Sequence, residues 1–286
     1  MTFFSTDGMQ SCKDMKGKTY RSGVYNLNTT DGVEYQTYCD MLTDGGGWTL
    51  VASIHENNAH DNGRCTVGDK WSSEQGNNEL TNHGDGNWEN LKTFGNVASA
   101  TSDDFKSLAY FSIDDAKDIM IWQVPNNTPL SMWRSNSYLR YRTYTQFLAD
   151  LGGNLQRMYQ SYYPIRQGVY NPGSDNGPSY QVTYDEGSPA DTLSHFGPTT
   201  QPYLTAGYIQ FRTVNTAKHI NAICPGVKVD PAAVTVYQHA CIGGSAFWGN
   251  YFYCGDFSGM AVDGYGAGNR GVDKTLIEST FLIFYR

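Results

Sequence analysis

Oxygen-bearing side chains are concentrated in residues 55–69, which read HENNAHDNGRCTVGD. Calcium takes about six to eight oxygen ligands from carboxylates, amides and backbone carbonyls, and glycines allow a loop to turn its carbonyls toward such an ion. Two further carboxylates, Asp103 and Asp104, could close the site from a distance. The same composition suits a solvated loop whose Asn and Asp side chains cap turns. Composition alone therefore leaves a calcium-bearing loop and a solvated loop equally open.

A second group of polar and aromatic residues lies in 236–256, where Cys241 and Cys254 bracket an aromatic-rich loop. Sugars are recognised by hydrogen bonds to their hydroxyls together with aromatic faces packed against ring C–H groups. The rings that suit such contacts are Tyr237, Trp248 and Tyr251. The same rings could instead fill a core beneath the loop. The segment is thus compatible with a glycan site without requiring one.

Enzyme signatures are incomplete in this sequence. A zincin helix needs a second histidine four residues after the first, and the corresponding position after His55 is Ala59. The chain contains no Gly-x-Ser-x-Gly nucleophile elbow. Carboxylate pairs at 114–115 and 185–186 could in principle cleave sugars, but sequence does not give their separation in space. We therefore expect a binding protein and not an enzyme.

The charge balance excludes several partner classes. The 286 residues carry a formal net charge of -8, and no run of Lys or Arg is present. Nucleic acids and anionic membranes are therefore poor partners, whereas bound cations are easily accommodated. No apolar stretch approaches the roughly 20 residues needed to cross a bilayer. The N-terminus has neither a basic region nor an apolar core, so the signal peptide of an exported protein would lie outside this chain.

The six cysteines indicate an oxidising compartment. They are widely spaced, and none forms the Cys-x-x-Cys pair of zinc ribbons or thioredoxin-like proteins. An even number of such cysteines fits a set of disulfides, for which sequence alone allows about 15 pairings. Two N-glycosylation triplets, at 28–30 and 126–128, agree with export. Buried free thiols in a cytosolic protein are the alternative.

The opening part of the chain is predicted to be a compact unit. Ser11 can cap a short helix, and strand-like alternation follows at 23–27 and 33–39, joined by an Asp-Gly turn. Glycines at 45–47 allow backbone angles closed to other residues, after which Trp48 enters a buried strand.

Regular periodicity is lost over residues 55–104, and a stretch of this length needs something other than a core to hold it. Apolar residues at helical spacing predict a helix over 144–158. Strands are predicted at 206–212 and 280–285. The candidate chemistry therefore lies on loops between regular elements.

Two motifs in the opening unit, YCDM at 38–41 and GGGWT at 45–49, are the hallmark of fibrinogen-related domains. The remainder resembles the intelectins (X-type lectins) in a set of motifs that occur in the same order. These motifs lie at 51–57, 65–73, 84–88, 101–104, 175–178, 241–244 and 254–259. Each is weak alone, but their common order from Ser11 to Arg286 makes the chain similar to that family over almost its whole length.

The resemblance implies an α+β fold with a fibrinogen-like N-terminal subdomain and a large, loop-rich, calcium-stabilised lectin region. Residues 1–10 would be an N-terminal tail, 11–51 the fibrinogen-like segment, and 52–286 a carbohydrate-recognition region that forms one compact unit with 11–51. The implied disulfides are Cys12–Cys39, Cys65–Cys254 and Cys224–Cys241. Because no cysteine is then left over, we expect no disulfide-linked oligomer, and non-covalent assembly stays open.

The resemblance further implies at least two structural calcium ions in this chain. Their ligands would be His55, Glu56, Asn58, Asp61, Gly63, Gly68, Asp69, Asp104 and Asp256. His55 would act through its backbone carbonyl, and Asn58 and Asp61 are alternatives because the loop is longer here than in the family. Calcium together with a disulfide would then hold the aperiodic stretch.

A ligand-site calcium of the family binds an exocyclic vicinal diol of a microbial sugar. The residues at the corresponding positions are Gln238, His239 and Asn250, with Tyr237, Trp248 and Tyr251 as possible glycan-contacting aromatics. The family's Asn-x-Glu-His pattern has become Val-Tyr-Gln-His here, and its flanking aromatics would fall near Val262 and Val272. Lost carboxylates weaken the attraction for calcium, so retention of this ion stays open.

The sequence therefore predicts a secreted, extracellular, calcium-dependent lectin that recognises microbial cell-surface glycans, through exocyclic vicinal diols, in innate immune recognition. One alternative is a lectin of changed specificity, for N-acetylated sugars or peptidoglycan. A second is a non-glycan scaffold that has lost the ligand calcium.

Overall fold

The computed structural model describes residues 4–5, 8–55, 70–71, 87–163, 177–195, 204–214, 220–229, 242, 245–248, 251–254 and 279–286. Strands and short helices are interspersed along these ranges, which confirms the predicted mixed α+β class. Within the described part of the chain, no helix is long and apolar enough to cross a membrane.

Strands dominate the described residues. They are β1 (Phe4–Ser5), β2 (Gly23–Asn28), β3 (Glu34–Asp40), β4 (Trp48–His55), β5 (Phe105–Lys106), β6 (Ile119–Pro125), β7 (Leu139–Arg142), β8 (Ser179–Gln181), β9 (Thr183–Glu186), β10 (Leu204–Ala206), β11 (Tyr208–Val214), β12 (Ile220–Cys224), β13 (Val227–Val229), β14 (Ser245–Trp248), β15 (Tyr251–Cys254) and β16 (Ser279–Tyr285).

The helices are short. They are α1 (Ala109–Ser112), α2 (Trp133–Asn136), α3 (Phe147–Asp150), α4 (Leu155–Arg157) and α5 (Pro189–His195). Single 3-10 turns span Cys12–Met15, Thr43–Gly45, Val97–Ser99 and Leu130–Met132, and a π-helical turn spans Met158–Tyr162.

One large sheet organises the molecule, with strand order β1-β2-β3-β4-β16-β6-β7-β9 and β5 paired to β4. The last strand, β16, lies between β4 and β6 and is antiparallel to both. The opening unit therefore shares its sheet with the end of the chain. Every residue of β4 and β16 is buried, as expected for strands covered on both faces.

The sheet separates two hydrophobic clusters. Successive side chains of a strand point to opposite faces, and β16 follows this rule. Phe281 and Ile283 belong to one cluster, while Leu282 and Phe284 belong to the other. The core is therefore built on both sides of the strand that closes the chain.

The predicted hairpin is present in the opening unit, and a 3-10 turn follows Ser11 as expected. Strands β2 and β3 pair antiparallel in continuous register, and Gly32 in the turn has a φ of 79°. At the start of the first 3-10 turn, the Asp14 carboxylate accepts hydrogen bonds from the backbone N–H groups of Gln10 and Ser11. Cys12 and Cys39 form the disulfide implied by the resemblance, with a Cα–Cα distance of 5.5 Å.

The other implied disulfides are described only in part. Cys224 is disulfide-bonded, and its implied partner, Cys241, lies outside the described residues. Cys65 also lies outside them, so its implied bond to Cys254 stays a prediction.

The single helix predicted over 144–158 is wrong. Four of its apolar residues, Phe147, Leu148, Leu155 and Met158, are buried as expected. However, α3 ends before Gly152 and Gly153, whose φ values are 92° and 78°. Those left-handed backbone angles cannot continue an α-helix. A new helix, α4, starts after Asn154, whose side chain accepts a hydrogen bond from the N–H of Arg157.

The strand predicted over 206–212 is also divided. Gly207, with a φ of 91°, separates β10 from β11. Strand β10 pairs with β13, whereas β11 pairs with β8 and β12. The alternation of side chains predicted the extended backbone of both strands. It did not predict that the chain passes from one sheet to another at Gly207, because alternation does not show which strands pair.

Candidate functional site

Of the residues predicted to bind structural calcium, the structure describes His55 and Asp104. The others lie outside the described residues, and they are Glu56, Asn58, Asp61, Gly63, Gly68, Asp69 and Asp256. No group of three or more His, Cys, Asp or Glu side chains able to hold a metal is found within the described ranges. The two described members nevertheless lie in direct contact.

His55 and Asp104 meet at the end of β4. The backbone N–H of His55 donates to Oδ1 of Asp104 at 2.8 Å. Oδ2 of the same carboxylate accepts from the N–H of Lys70 at 2.8 Å and from that of Trp71 at 3.3 Å. Asp104 is 2% exposed and His55 is 7% exposed, so these charge-assisted bonds are shielded from water.

We refer to His55, Lys70, Trp71, Asp103 and Asp104 as the Asp104 corner. His55 and Lys70 flank the oxygen-rich segment 56–69 in the sequence. One buried carboxylate therefore binds both residues that flank this segment. The sequence predicted that Asp104 would close the site from a distance, and the structure brings it to the backbone of these two flanking residues.

Local pairing places Asp104 in this position. It immediately precedes β5, which is antiparallel to β4 with Phe105 opposite Ser53. Continuing that register brings residue 104 to the last residues of β4. On the other side, Gly95 has a φ of 68°, and a Cβ there would lie 2.2 Å from the carbonyl oxygen of Asp104. Only glycine allows so close an approach.

Charge in the corner is partly balanced by Lys70. Its Nζ lies 2.7 Å from Oδ2 of Asp103, which is the more exposed of the two adjacent carboxylates. Asp103 also accepts the backbone N–H of Asp104 through Oδ1 at 2.8 Å. The neighbouring acids therefore differ in role, because Asp103 is paired with an ammonium and Asp104 with backbone amides.

An aromatic cluster packs around Trp71 of the Asp104 corner. Trp71 and Trp88 have ring centroids 4.4 Å apart, and Trp71 also contacts Phe94 at 5.4 Å. The indole N–H of Trp71 donates to the carbonyl of Ser53 on β4 at 2.7 Å. The two tryptophans come from separate motifs of the sequence, at 65–73 and 84–88, and both are fully buried. This packing fixes Trp71, and with it the neighbouring Lys70.

Lys106 is a part of this region that the sequence did not indicate. Its side chain is 1% exposed, and Nζ donates to the carbonyl of Asn90 at 2.8 Å and to that of Asn87. Nζ also lies 4.6 Å from the ring centroid of Tyr110. Burial, and then the charge of Lys92, lower the pKa of Lys106 to about 7. A lysine inside the run FKSLAY was the available signal, but sequence does not show which side of a short strand is buried.

The predicted glycan site is described only at two backbone positions. Trp248 of β14 and Tyr251 of β15 are directly opposite each other in an antiparallel pair. The remaining predicted residues of this site, Tyr237, Gln238, His239 and Asn250, lie outside the described residues. The structure thus brings two of the predicted aromatic positions together.

Sequence comparison gives one local similarity. No protein-family model matches the chain. Over 55 residues, 18% of this chain, it is 42% identical to angiopoietin-related protein 7 of Bos taurus and of Homo sapiens, and 40% identical to that of Mus musculus. The matched part spans 16% of the length of these curated relatives.

Solved structures similar to the chain are fibrinogen-like or fibrin structures. The fibrinogen-like globe domain of human ANGPTL6 is 14% identical, with a TM-score of 0.35 over 100% of this chain and 98% of that one. The corresponding domain of human ANGPTL2 is 13% identical, with a TM-score of 0.33 over 97% and 98%. Lamprey fibrin D-dimer, complexed with the peptide ligand Gly-His-Arg-Pro-amide, is 12% identical, with a TM-score of 0.35 over 98% and 74%.

Proposed function

We propose that this chain is a secreted, fibrinogen-related lectin that binds microbial glycans with the help of calcium and catalyses no reaction. The observation that carries the proposal is the Asp104 carboxylate, which binds the backbone on both sides of the oxygen-rich segment 56–69. A scaffold that fixes both ends of such a segment reduces the entropy that the loop would lose on binding an ion.

The residues at this corner fit a hard cation. Calcium prefers carboxylate and carbonyl oxygens, and Asp104 offers a buried carboxylate beside the backbone of His55. The remaining ligands would come from the predicted set between Glu56 and Asp69 and from Asp256. Bound calcium would supply positive charge that holds these anionic groups together and, at a separate ligand site, would coordinate the oxygens of a sugar diol.

The glycan-binding role is supported by the sequence resemblance and by the β14–β15 pair. Trp248 and Tyr251 are neighbours across that pair, immediately beside Asn250. Such closeness is what a site with aromatic and polar contacts to one sugar requires. His239 and Gln238 would complete it.

Export is supported by the disulfide chemistry. Cys12 is bonded to Cys39, and Cys224 is also disulfide-bonded. Disulfides form and persist in oxidising compartments, as in secreted proteins. Extracellular localisation agrees with a ligand on microbial surfaces.

The test combines calcium counting, melting curves and glycan binding. Calcium content of the purified protein is measured by mass spectrometry, and Tm is recorded with and without chelator. An ion present at about 1,000 times its Kd adds about 4 kcal/mol, so chelation should lower Tm by about 10 °C. At least two tightly bound ions together with such a shift support the proposal, whereas no ion and no shift contradicts it.

Glycan arrays with and without calcium then separate the candidate functions. Calcium-dependent binding of diol-terminated sugars supports the proposed lectin. Binding that resists chelator indicates a changed specificity, for N-acetylated sugars or peptidoglycan. An absence of binding to every glycan, by a protein that holds calcium, indicates a scaffold and contradicts the lectin function.

A further inference from the structure

The two N-glycosylation triplets of the sequence lie in very different surroundings. The first, Asn28-Thr29-Thr30, spans the end of β2 and the start of the hairpin turn to β3. The second, Asn126-Asn127-Thr128, follows β6, which pairs with the central strand β16. An asparagine that carries a glycan in the folded protein must present its amide nitrogen to solvent, with room for a sugar. The structure therefore distinguishes between the two triplets.

Asn28 is half-buried at the last position of β2, two residues before the exposed Thr30. The turn is held by other groups, because the N–H of Thr29 donates to the carbonyl of Val33 at 2.9 Å and the Thr29 hydroxyl accepts the N–H of Val33 at 3.1 Å. The N–H of Asn28 donates to the carbonyl of Met9. Its side-chain amide makes no hydrogen bond to any residue in the described ranges, and Thr30 is exposed.

Space and polarity beside the turn also suit a sugar. Thr29 and Thr30 border an open hollow of about 80 Å³ whose other walls include the carboxylates of Asp14, Asp114 and Asp115. Sugar hydroxyls can donate to carboxylate and hydroxyl oxygens. A first sugar attached to Asn28 would therefore meet polar groups and open solvent rather than apolar packing.

Asn126 is also half-buried, but its side chain is bonded to the central strand. Its Oδ1 accepts the hydroxyl of Thr280, a fully buried residue of β16, at 2.8 Å. Thr128 is 6% exposed, and its hydroxyl donates to the carbonyl of Pro125 at 2.6 Å. The carbonyl of Thr128 in turn accepts the indole N–H of Trp133 at 3.0 Å. A glycan on Nδ2 of this asparagine would lie next to the buried residues Thr128 and Thr280.

We propose that Asn28 is an N-linked glycosylation site of this protein and that Asn126 remains unmodified. The donor is a lipid-linked oligosaccharide diphosphate of the secretory pathway. A bond forms between Nδ2 of Asn28 and the anomeric carbon of the sugar, the bond from that carbon to the phosphate oxygen breaks, the lipid diphosphate leaves, and the transferase base takes one amide proton. The inference depends on the export proposed above but not on lectin activity or calcium.

The test uses the full chain behind a cleavable signal sequence, translated in the presence of microsomes and also secreted from eukaryotic cells. Mass is compared before and after an amidase that removes N-linked glycans. We expect one glycan on the wild type, none on Asn28→Gln or Thr30→Ala, one on Thr30→Ser, and one on Asn126→Gln. The two substitutions of Thr30 form a matched pair. Serine keeps the hydroxyl that the acceptor triplet requires, and alanine removes it.

The proposal is overturned if the translocated wild type carries no glycan, or if the glycan is lost in Asn126→Gln and kept in Asn28→Gln. The microsome arm gives an answer even for a variant that folds too poorly to be secreted. Calcium content and the melting shift of Asn28→Gln are measured in parallel and should match those of the wild type. A failure of the lectin proposal would appear in those measurements and in the arrays, and leave the glycan count unchanged.

Discussion

The Asp104 carboxylate accepts hydrogen bonds from the backbone N–H groups of His55, Lys70 and Trp71, and the residue is only 2% exposed. The essential property of this side chain is that an ionised carboxylate only accepts hydrogen bonds, because both of its oxygens face N–H donors. A carboxamide of the same shape would place its NH₂ group against one of these backbone N–H groups, so that two donors would face each other. Replacing one carboxylate oxygen by nitrogen should therefore lower the free energy of unfolding.

We predict that Asp104→Asn lowers the free energy of unfolding by about 3 kcal/mol in chelator, because a buried N–H would lose its acceptor. Asp103→Asn is the matched control, since it removes a partly exposed ion pair with Lys70 and should cost less than about 1 kcal/mol. Urea unfolding of both variants measures the difference. Equal costs at the two positions would show that Asp104 does not hold the corner.

Lys106 should make stability depend on pH. Its pKa is about 7 in the folded chain, against an ordinary value of 10.5. Between these values the unfolded chain binds a proton that the folded chain does not, so the free energy of unfolding rises with pH. The unfavourable contribution is fully present below pH 7. From pH 7 to pH 9 we expect a gain of about 2 kcal/mol.

The measurement is urea unfolding at constant calcium for the wild type, Lys106→Met and Lys18→Met, where Lys18 is an exposed control. The wild type and Lys18→Met should gain stability over this pH range relative to Lys106→Met. Parallel pH profiles for all three would mean that the carbonyls of Asn87 and Asn90, with the ring of Tyr110, keep the ammonium charged up to higher pH.

Among the elements, the break between α3 and α4 shows how glycine overrides a helical pattern. Gly153 has a φ of 78°, and a Cβ there would lie 1.9 Å from the carbonyl oxygen of Asp114. Its own carbonyl accepts the N–H of Ala116 at 3.1 Å. The glycine therefore combines an unusual backbone angle with a close backbone contact, and these two contributions can be separated.

Gly153→Ala should lower the free energy of unfolding by about 4 kcal/mol, because the carbonyl in its way cannot rotate aside as a side chain could. Gly17→Ala is the control, since Gly17 has a φ of 80° and no atom within 4 Å of the added Cβ. Gly17→Ala should lower the free energy of unfolding by only the energy of placing alanine in the left-handed region, about 1 to 2 kcal/mol. Thermal and urea unfolding of both variants provide the comparison, and a Gly153→Ala cost no larger than the control would contradict the contact.

At the scale of the whole molecule, covalent and non-local contacts join the two ends of the chain. The disulfide between Cys12 and Cys39 connects the first 3-10 turn to β3, and β3 reaches β16 through β4. This arrangement makes the opening unit and the last strand parts of one sheet. The limit of the fibrinogen-like segment, given after residue 51, falls within β4.

Replacing both Cys12 and Cys39 by serine should lower the free energy of unfolding by about 3.5 kcal/mol, because the bond closes a loop with a sequence separation of 27. The variant is compared with the wild type by urea unfolding without reductant. The calcium-linked rise in Tm should persist, since the bond lies away from the Asp104 corner. Loss of that rise together with the disulfide would show that the two features are coupled.

The sequence by itself determined the local features of this protein. Alternation at 23–27 and 33–39 predicted the hairpin, and apolar residues at 280–285 predicted the last strand, because side-chain periodicity depends only on neighbouring residues. The even set of cysteines indicated disulfides, which is a matter of composition, whereas the concentration of oxygen donors in 55–69 left a calcium-bearing loop and a solvated loop equally open. The motifs carried the resemblance from which the remaining ligand positions were inferred.

Only the tertiary structure decided which distant groups meet. It placed β16 between β4 and β6, brought Asp104 to the backbone at His55 and Lys70, and buried Lys106 against Tyr110. It also bonded the side chain of Asn126 to Thr280 of the central strand and left that of Asn28 without a hydrogen bond to any described residue, although both triplets satisfy the same sequence rule. These contacts join residues far apart in the chain, and local pattern carries no information on the packing that selects them.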